Sequence, residues 1–201
     1  IKLKVPVNSR SNSKPTLILV ELHTTYNSNL VTTRLISGIQ RLSLMRSKVV
    51  GYTVARRAYG FLGLALHLGL IFRWWVESTI GGKNLMPSIS DIALPAIFPP
   101  LRKPQLETAA ALWSQVESKQ NLLDMHLGDV QIGDLIYDAY LRLTKKPTVD
   151  LQDRALRSLF LHACMQAQHW SQYLAQSPVR CGVASHATYL QGILVRVAIQ
   201  A

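Results

Sequence analysis

The chain has 201 residues, 48% of them hydrophobic and 16% charged, which excludes an intrinsically disordered protein. Its two cysteines are too few for a disulfide scaffold, and we expect both thiols to be reduced and buried in a cytosolic chain. The formal net charge is +11, and the whole excess lies in residues 1–103, which hold 14 lysines and arginines against three acids. This basic half predicts an anionic partner, such as a phosphorylated small molecule or an anionic membrane surface. No nucleic-acid-binding motif accompanies the charge, so we expect no nucleic acid.

The first half of the chain predicts the opening of an α/β fold. Residues 1–15 are polar and basic and form an N-terminal segment. The apolar runs at 16–22 and 48–54 are typical of buried parallel strands, and a helix is predicted between them at 30–45. Strand, helix and strand make a right-handed βαβ unit, so we expect residues 16–201 to form a Rossmann-like parallel sheet flanked by helices.

A long helix is predicted at 55–79, and it contains the most apolar run of the sequence, at 60–72. Thirteen helical residues span roughly 20 Å, short of the ~30 Å hydrocarbon core of a bilayer, so this run does not cross a membrane. Two interpretations stay open: a buried helix of the α/β domain, or an interfacial helix with arginines on lipid headgroups and tryptophans at the acyl boundary. The side chains concerned are Arg56, Arg57, Arg73, Trp74 and Trp75.

The second half predicts helices alternating with short strands. Five prolines at 80–104 indicate an irregular connection, and Asp134 stands where a helix N-cap belongs. The elements predicted after it are helices at 105–118, 135–144 and 151–176, a hairpin edge at 130–132, a third parallel strand at 179–185 and a helix from Thr188. We expect the strands at 16–22, 48–54 and 179–185 to be the central strands of the sheet.

No GxGxxG loop, Walker A, GxSxG or HExxH motif occurs, which argues against enzymes of those classes. One polar constellation lies in the predicted helix 135–144, where Asp134, Asp138 and Arg142 follow one another at intervals of four residues with Tyr137 beside them. It has two interpretations. Either Asp138 and Arg142 form a surface ion pair, or the face points into a cleft, with Asp138 as acid, base or nucleophile and Arg142 holding an anion.

A second constellation begins with Ser185 and His186, directly after the predicted third strand. Open α/β sheets bind ligands outside the carboxyl ends of their strands, and the N–H groups of the helix that follows favour a phosphate or carboxylate. His186 is therefore either a donor to an anion and a proton-transfer group, or only a cap of the next helix.

The two stretches GDLIYDAYLR and SHATYLQGILVRVAI resemble the N-terminal half of bacterial surface-polysaccharide biosynthesis proteins, which are similar to GT-B glycosyltransferases. The resemblance covers residues 125–201 and, more loosely, the strand that ends in Glu21. It implies two Rossmann-like domains, with the nucleotide-sugar donor held mainly by the C-terminal one. The present chain would then be the acceptor-side domain, truncated at its C terminus, with the nucleotide sugar as a substrate and no tightly bound cofactor.

The expected function is therefore that of a glycosyltransferase-like domain of capsule or lipopolysaccharide biosynthesis, cytoplasmic or peripheral on the inner face of the membrane. Its partners would be a nucleotide sugar, a glycolipid or polysaccharide acceptor and an anionic membrane surface. We expect Asp138 and His186 to face one cleft as the catalytic pair, and no metal, because no DxD-type acidic pair follows a strand. The predicted substrate-binding residues are Glu21, Tyr137, Arg142, Ser185, Tyr189 and Arg196. The alternatives are a non-catalytic module that binds a membrane or a partner, and another sugar-nucleotide enzyme of the epimerase type.

Overall fold

A computed structural model describes six stretches of the chain, which are residues 16–21, 47–52, 69, 89–92, 101–184 and 187–200. Several predicted features lie outside these residues, namely the N-terminal segment 1–15, the helices at 30–45 and 55–79 (of which only Gly69 is described) and the pair Ser185–His186. Within the described part, no helix is both long and apolar enough to span a bilayer.

The described strands form a parallel sheet and a small hairpin. In chain order they are β1 (Thr16–Glu21), β2 (Ser47–Tyr52), β3 (Ile89–Ile92), β4 (His126–Leu127), β5 (Val130–Gln131) and β6 (Val179–Val183). The sheet has the order β3-β2-β1-β6, with every neighbouring pair parallel, and the antiparallel pair β4–β5 forms the predicted hairpin. Both faces of β1 are covered, since Ile18, Leu19 and Val20 are each at most 3% exposed. The prediction of an α/β fold built on a parallel sheet is confirmed.

Two details of the sheet differ from expectation. The segment 80–104 was predicted to be irregular, but it contributes β3, which pairs with β2. The strand β6 was predicted to be central, yet it lies at one edge of the described sheet, and its residues alternate between half-buried and exposed. The reason is its composition: Arg180 and Gly182 supply little apolar surface for a second layer to cover, unlike the continuous apolar run of β1.

Five helices accompany the sheet in the described part of the chain. They are α1 (Lys103–Ser114), α2 (Lys119–Leu123), α3 (Gly133–Thr144), α4 (Arg154–Gln176) and α5 (Gly192–Gln200), with a 3-10 turn at Tyr189–Gln191. At Gly133 the start of α3 lies close against the end of α2, because a Cβ atom there would overlap the main-chain carbonyl oxygens of Leu122 and Leu123. The chain therefore needs glycine at the start of α3.

Helix α4 packs on the sheet and provides much of the core. The indole of Trp170 meets the ring of Tyr52 edge-on, with centroids 5.2 Å apart. Only Ser177 and Pro178 separate α4 from β6, so the chain reverses there, and the N-terminal half of α4 extends toward the carboxyl edge of the sheet. One apolar core joins β1, α4 and α5, and it includes Leu19 of β1, Phe160 of α4 and Ile193 of α5.

A hydrogen-bonded cluster joins the end of α3 to the start of α4. The hydroxyl of the buried Tyr140 donates to Oδ2 of Asp153 at 2.7 Å, and Nζ of Lys146 lies 2.8 Å from the same oxygen and 3.0 Å from the Tyr140 hydroxyl. Asp153 also caps α4 by accepting from the main-chain N–H of Ala155. The hydrogen bond from Lys146 holds the pKa of Asp153 well below its ordinary value. The carboxylate therefore stays ionised and links the end of α3 to the start of α4.

Candidate functional site

The carboxyl edge of the parallel sheet is where the fold favours a ligand. In the sheet, β2 and β3 lie on one side of β1, and β6 lies on its other side. The strand order therefore reverses between β1 and β6. Ligands of open α/β sheets bind at such a reversal, outside the carboxyl ends of the strands. Glu21 is the last residue of β1 and is only 5% exposed, which puts a buried carboxylate at this point.

Tyr52 stands beside Glu21 at the same edge. The two residues are register partners of β1 and β2, so their side chains lie on the same face of the sheet. The Tyr52 ring is fully buried, and its pKa is raised strongly, first by burial and second by the nearby Glu21 carboxylate. The phenol therefore keeps its proton at neutral pH and can act as a hydrogen-bond donor or acceptor.

A polar stripe on α4 continues the same side of the sheet. His162, Gln166 and Trp170 follow one another at intervals of four residues and so share one face of the helix, the face on which Trp170 contacts Tyr52. His162 is 4% exposed and Gln166 is fully buried. Burial lowers the pKa of His162 to about 4, so its ring is neutral at pH 7.

Two of these buried groups are unsatisfied within the described part of the chain. Neither the Tyr52 hydroxyl nor the Gln166 amide has a hydrogen-bond partner among the described residues. A buried polar group without a partner costs folding free energy, roughly 1–3 kcal/mol each. We call Glu21, Tyr52, His162 and Gln166 the buried polar group and treat it as the centre of the candidate site, because all four are polar and buried.

Asp134 does not cap a helix, contrary to the sequence-based expectation. The N-cap position of α3 is Ile132, which makes no side-chain capping bond. Asp134 instead binds the guanidinium of Arg196 through both carboxylate oxygens, at 2.7 and 2.5 Å, while the same guanidinium donates to the carbonyl oxygen of Gln131 at 3.0 Å. The pair ties α3 to α5, and it engages both terminal nitrogens of Arg196, one of the predicted substrate-binding residues.

Asp138 and Arg142 do not form the surface ion pair that their spacing allows. Asp138 is exposed, and no atom of its carboxylate lies within 4.0 Å of the Arg142 guanidinium. Arg142 lies instead over the ring of Tyr189, with its central carbon 4.4 Å from the ring centroid. Tyr137 is half-buried and packs against the core. The structure thus forms two separate pairs, Arg142 with Tyr189 and Asp134 with Arg196.

The predicted catalytic pairing of Asp138 with His186 stays a prediction, because Ser185 and His186 lie outside the described residues. Of the two cysteines, Cys164 is buried as expected, but Cys181 is half-buried because it belongs to the edge strand β6. The described residues include no group of three or more His, Cys, Asp or Glu side chains that could hold a metal ion.

Sequence reasoning missed Tyr52, His162 and Gln166. The available signal was the interval of four residues that joins His162, Gln166 and Trp170 in an otherwise amphipathic helix. Comparison of the chain with models of protein families, with curated proteins and with solved structures finds no match.

Proposed function

We propose that the chain is the acceptor-side domain of a glycosyltransferase-like enzyme of bacterial surface-polysaccharide biosynthesis. The observation that carries the proposal is Glu21, a buried carboxylate at the carboxyl end of β1, beside the point where the strand order reverses. In a sugar transfer the acceptor hydroxyl must lose its proton as the new glycosidic bond forms. A carboxylate at this place can accept a hydrogen bond from that hydroxyl and orient it for the reaction.

The chemistry of the neighbouring side chains supports a neutral, hydroxyl-rich ligand. The Tyr52 phenol and the Gln166 amide offer both donors and acceptors, as the hydroxyls of a sugar require. A neutral His162 adds no positive charge to this side of the sheet. These groups suit a saccharide better than a phosphate.

The strand order β3-β2-β1-β6 is also that of one half of a Rossmann-like sheet, and enzymes of the GT-B type are built from domains of that kind. In such an enzyme the nucleotide-sugar donor belongs mainly to the second domain and is a substrate, with no tightly bound cofactor. We retain Asp138 and His186 as the proposed catalytic pair, with Glu21 in the role of acceptor binding.

The charge distribution supports a place at the cytoplasmic face of the membrane. Residues 1–103 carry the entire net charge of +11, and anionic lipid attracts each surface lysine or arginine by about 1 kcal/mol. A lipid-linked acceptor would be met at that surface, so peripheral binding and acceptor recognition belong to one proposal.

Nuclear magnetic resonance titration of the 201-residue chain tests the proposal. The probes are a panel of soluble mono- and disaccharides, with UDP-glucose as the donor probe. We expect at least one saccharide to shift the amide signals of Glu21 and Ala184, and UDP-glucose alone to bind no more tightly than that saccharide. Glu21→Gln should weaken saccharide binding at least fivefold, whereas Glu107→Gln, at an exposed acid on α1, should leave it unchanged.

The competing proposal of a non-catalytic membrane module makes a different prediction for the same sample. In that case no saccharide shifts any signal at tens of millimolar concentration, and vesicles bind without regard to Glu21. Saccharide binding that is equally weakened by Glu21→Gln and Glu107→Gln would also contradict the proposed site.

A further inference from the structure

The side chain of Arg142 contacts the ring of Tyr189, and this contact can position the guanidinium for a ligand. Arg142 belongs to the last turn of α3, and Tyr189 begins the 3-10 turn in the connection that leaves the carboxyl end of β6. The central guanidinium carbon lies 4.4 Å from the centroid of the Tyr189 ring, the distance of a cation–π contact. The contact therefore joins the end of α3 to the connection that follows β6.

The backbone around Tyr189 is arranged to hold the ring in place. Tyr189 has φ of 55°, in the left-handed region that residues other than glycine rarely adopt. The next two residues, Leu190 and Gln191, are each 8% exposed and anchor the turn in the core. Gly192 closes it tightly, because a Cβ atom there would overlap the carbonyl oxygen of Ala187. The ring is thus held rigidly beneath the arginine.

The guanidinium of Arg142 keeps its N–H edge available. Among the described residues it forms no ion pair and no hydrogen bond, although Asp138 lies one helical turn away on the same face. Arg196 is the opposite case, since Asp134 and the Gln131 carbonyl engage both of its terminal nitrogens. The planar N–H fork of an arginine matches two oxygens of a phosphate group.

We propose that Arg142, held by the ring of Tyr189, binds the phosphate group of a ligand. The cation–π contact, called the stack below, restrains the guanidinium before binding, which removes part of the side-chain entropy that a flexible surface arginine loses. This inference does not depend on the proposed sugar transfer, because any phosphorylated ligand presents the same oxygens. The phosphate can belong to a free ligand or to a lipid headgroup.

Two probes distinguish these sources: inorganic pyrophosphate, measured by calorimetry, and vesicles of phosphatidylglycerol in phosphatidylcholine, measured by co-sedimentation. We expect Arg142→Lys to weaken at least one of them tenfold or more, because lysine keeps the charge but loses the planar fork. Arg157→Lys, at an exposed arginine on α4, is the matched control and should change each by less than twofold. An effect confined to pyrophosphate identifies a free phosphate, and one confined to vesicles identifies a headgroup.

Variants of the ring test the stack itself. Tyr189→Phe keeps an aromatic face and should bind the probe within twofold of the native chain. Tyr189→Leu should weaken binding by nearly as much as Arg142→Lys, provided that its circular dichroism spectrum matches that of the native chain. The proposal is overturned if neither probe binds, or if Arg142→Lys and Arg157→Lys weaken binding equally. Neither result concerns saccharide binding, so the sugar-transfer proposal is decided separately.

Discussion

Protonation of His162 should destabilise the protein in mild acid. The ring is 4% exposed, and burial lowers its pKa from the ordinary 6.5 to about 4. Between these two values the unfolded chain binds a proton that the folded chain does not. The free energy of unfolding should therefore fall as the pH drops from 6.5 to 4, and change no further on this account below pH 4.

The separation of the two pKa values sets the size of the effect. Each pH unit between them is worth about 1.4 kcal/mol, so the loss is roughly 3 kcal/mol over the window. His169 acts in the same direction, because burial lowers its pKa as well. Asp153, whose pKa is lowered mainly by its hydrogen bond from Lys146, contributes only below its ordinary value of 3.8 and so outside this window.

Urea unfolding at a series of pH values from 4 to 7.5 measures the effect. His162→Gln removes the titrating group with little change in volume, so the slope of stability against pH should flatten by most of the predicted amount. The absolute stability of the variant does not enter, since only the slope is compared. His169→Gln should flatten the slope of stability against pH by a smaller amount. A His162→Gln variant that retains the full slope would refute the assignment to His162, as would a ring titration near 6.5 observed directly by NMR.

Three further outcomes are expected. Gly133→Ala should lower the free energy of unfolding by about 2 kcal/mol or more, because its Cβ would overlap the Leu122 carbonyl oxygen. The control Gly182→Ala has no described atom within 4 Å of its Cβ and should change that free energy by less than about 0.5 kcal/mol in the same urea assay. Equal losses in the two variants would contradict the packing described at Gly133. Gln166→Met should raise stability by about 1–2 kcal/mol, since it removes an amide without a described partner, and a loss would mean that the amide is satisfied. Binding to anionic vesicles should decrease steeply with salt, given the +11 charge in residues 1–103, and equal binding to neutral vesicles would disprove this electrostatic origin.

Strands with a continuous apolar pattern could be predicted from the sequence, because such a pattern has one common structural explanation. The run that became β1 is buried on both faces, as a central parallel strand must be. The strand β3 could not be predicted in this way. It is four residues long, contains Ser90 and Asp91, and lies within a proline-rich segment whose local signals all favour a loop. Its pairing with β2 depends on contacts that are distant in sequence.

The candidate site was predicted less well than the fold, since its contacts join residues far apart in the chain. Asp134 has the residue type of a cap, but its partner Arg196 is 62 residues away, and a bidentate ion pair is stronger than a capping bond. Asp138 and Arg142 have the spacing of an ion pair, but the Arg142 guanidinium contacts the ring of Tyr189 instead. Glu21 was among the predicted substrate-binding residues because the resemblance extends loosely to the strand that it ends, and its role stays a prediction. The burial of Gln166 has no local signature beyond its place on the face of α4.

The pairing of β1 with β6 constrains how the protein is made. Leu17 is the register partner of Val179, so about 160 residues of chain must be synthesised between the two strands. At roughly 5–20 residues per second, a ribosome takes about 10–30 s to deliver β6 after β1 has emerged. During that interval one edge of a very apolar strand has no β6 to cover it, and such edges recruit other chains. The sheet therefore closes late and through a long loop, which predicts slow folding and a need for a chaperone during synthesis.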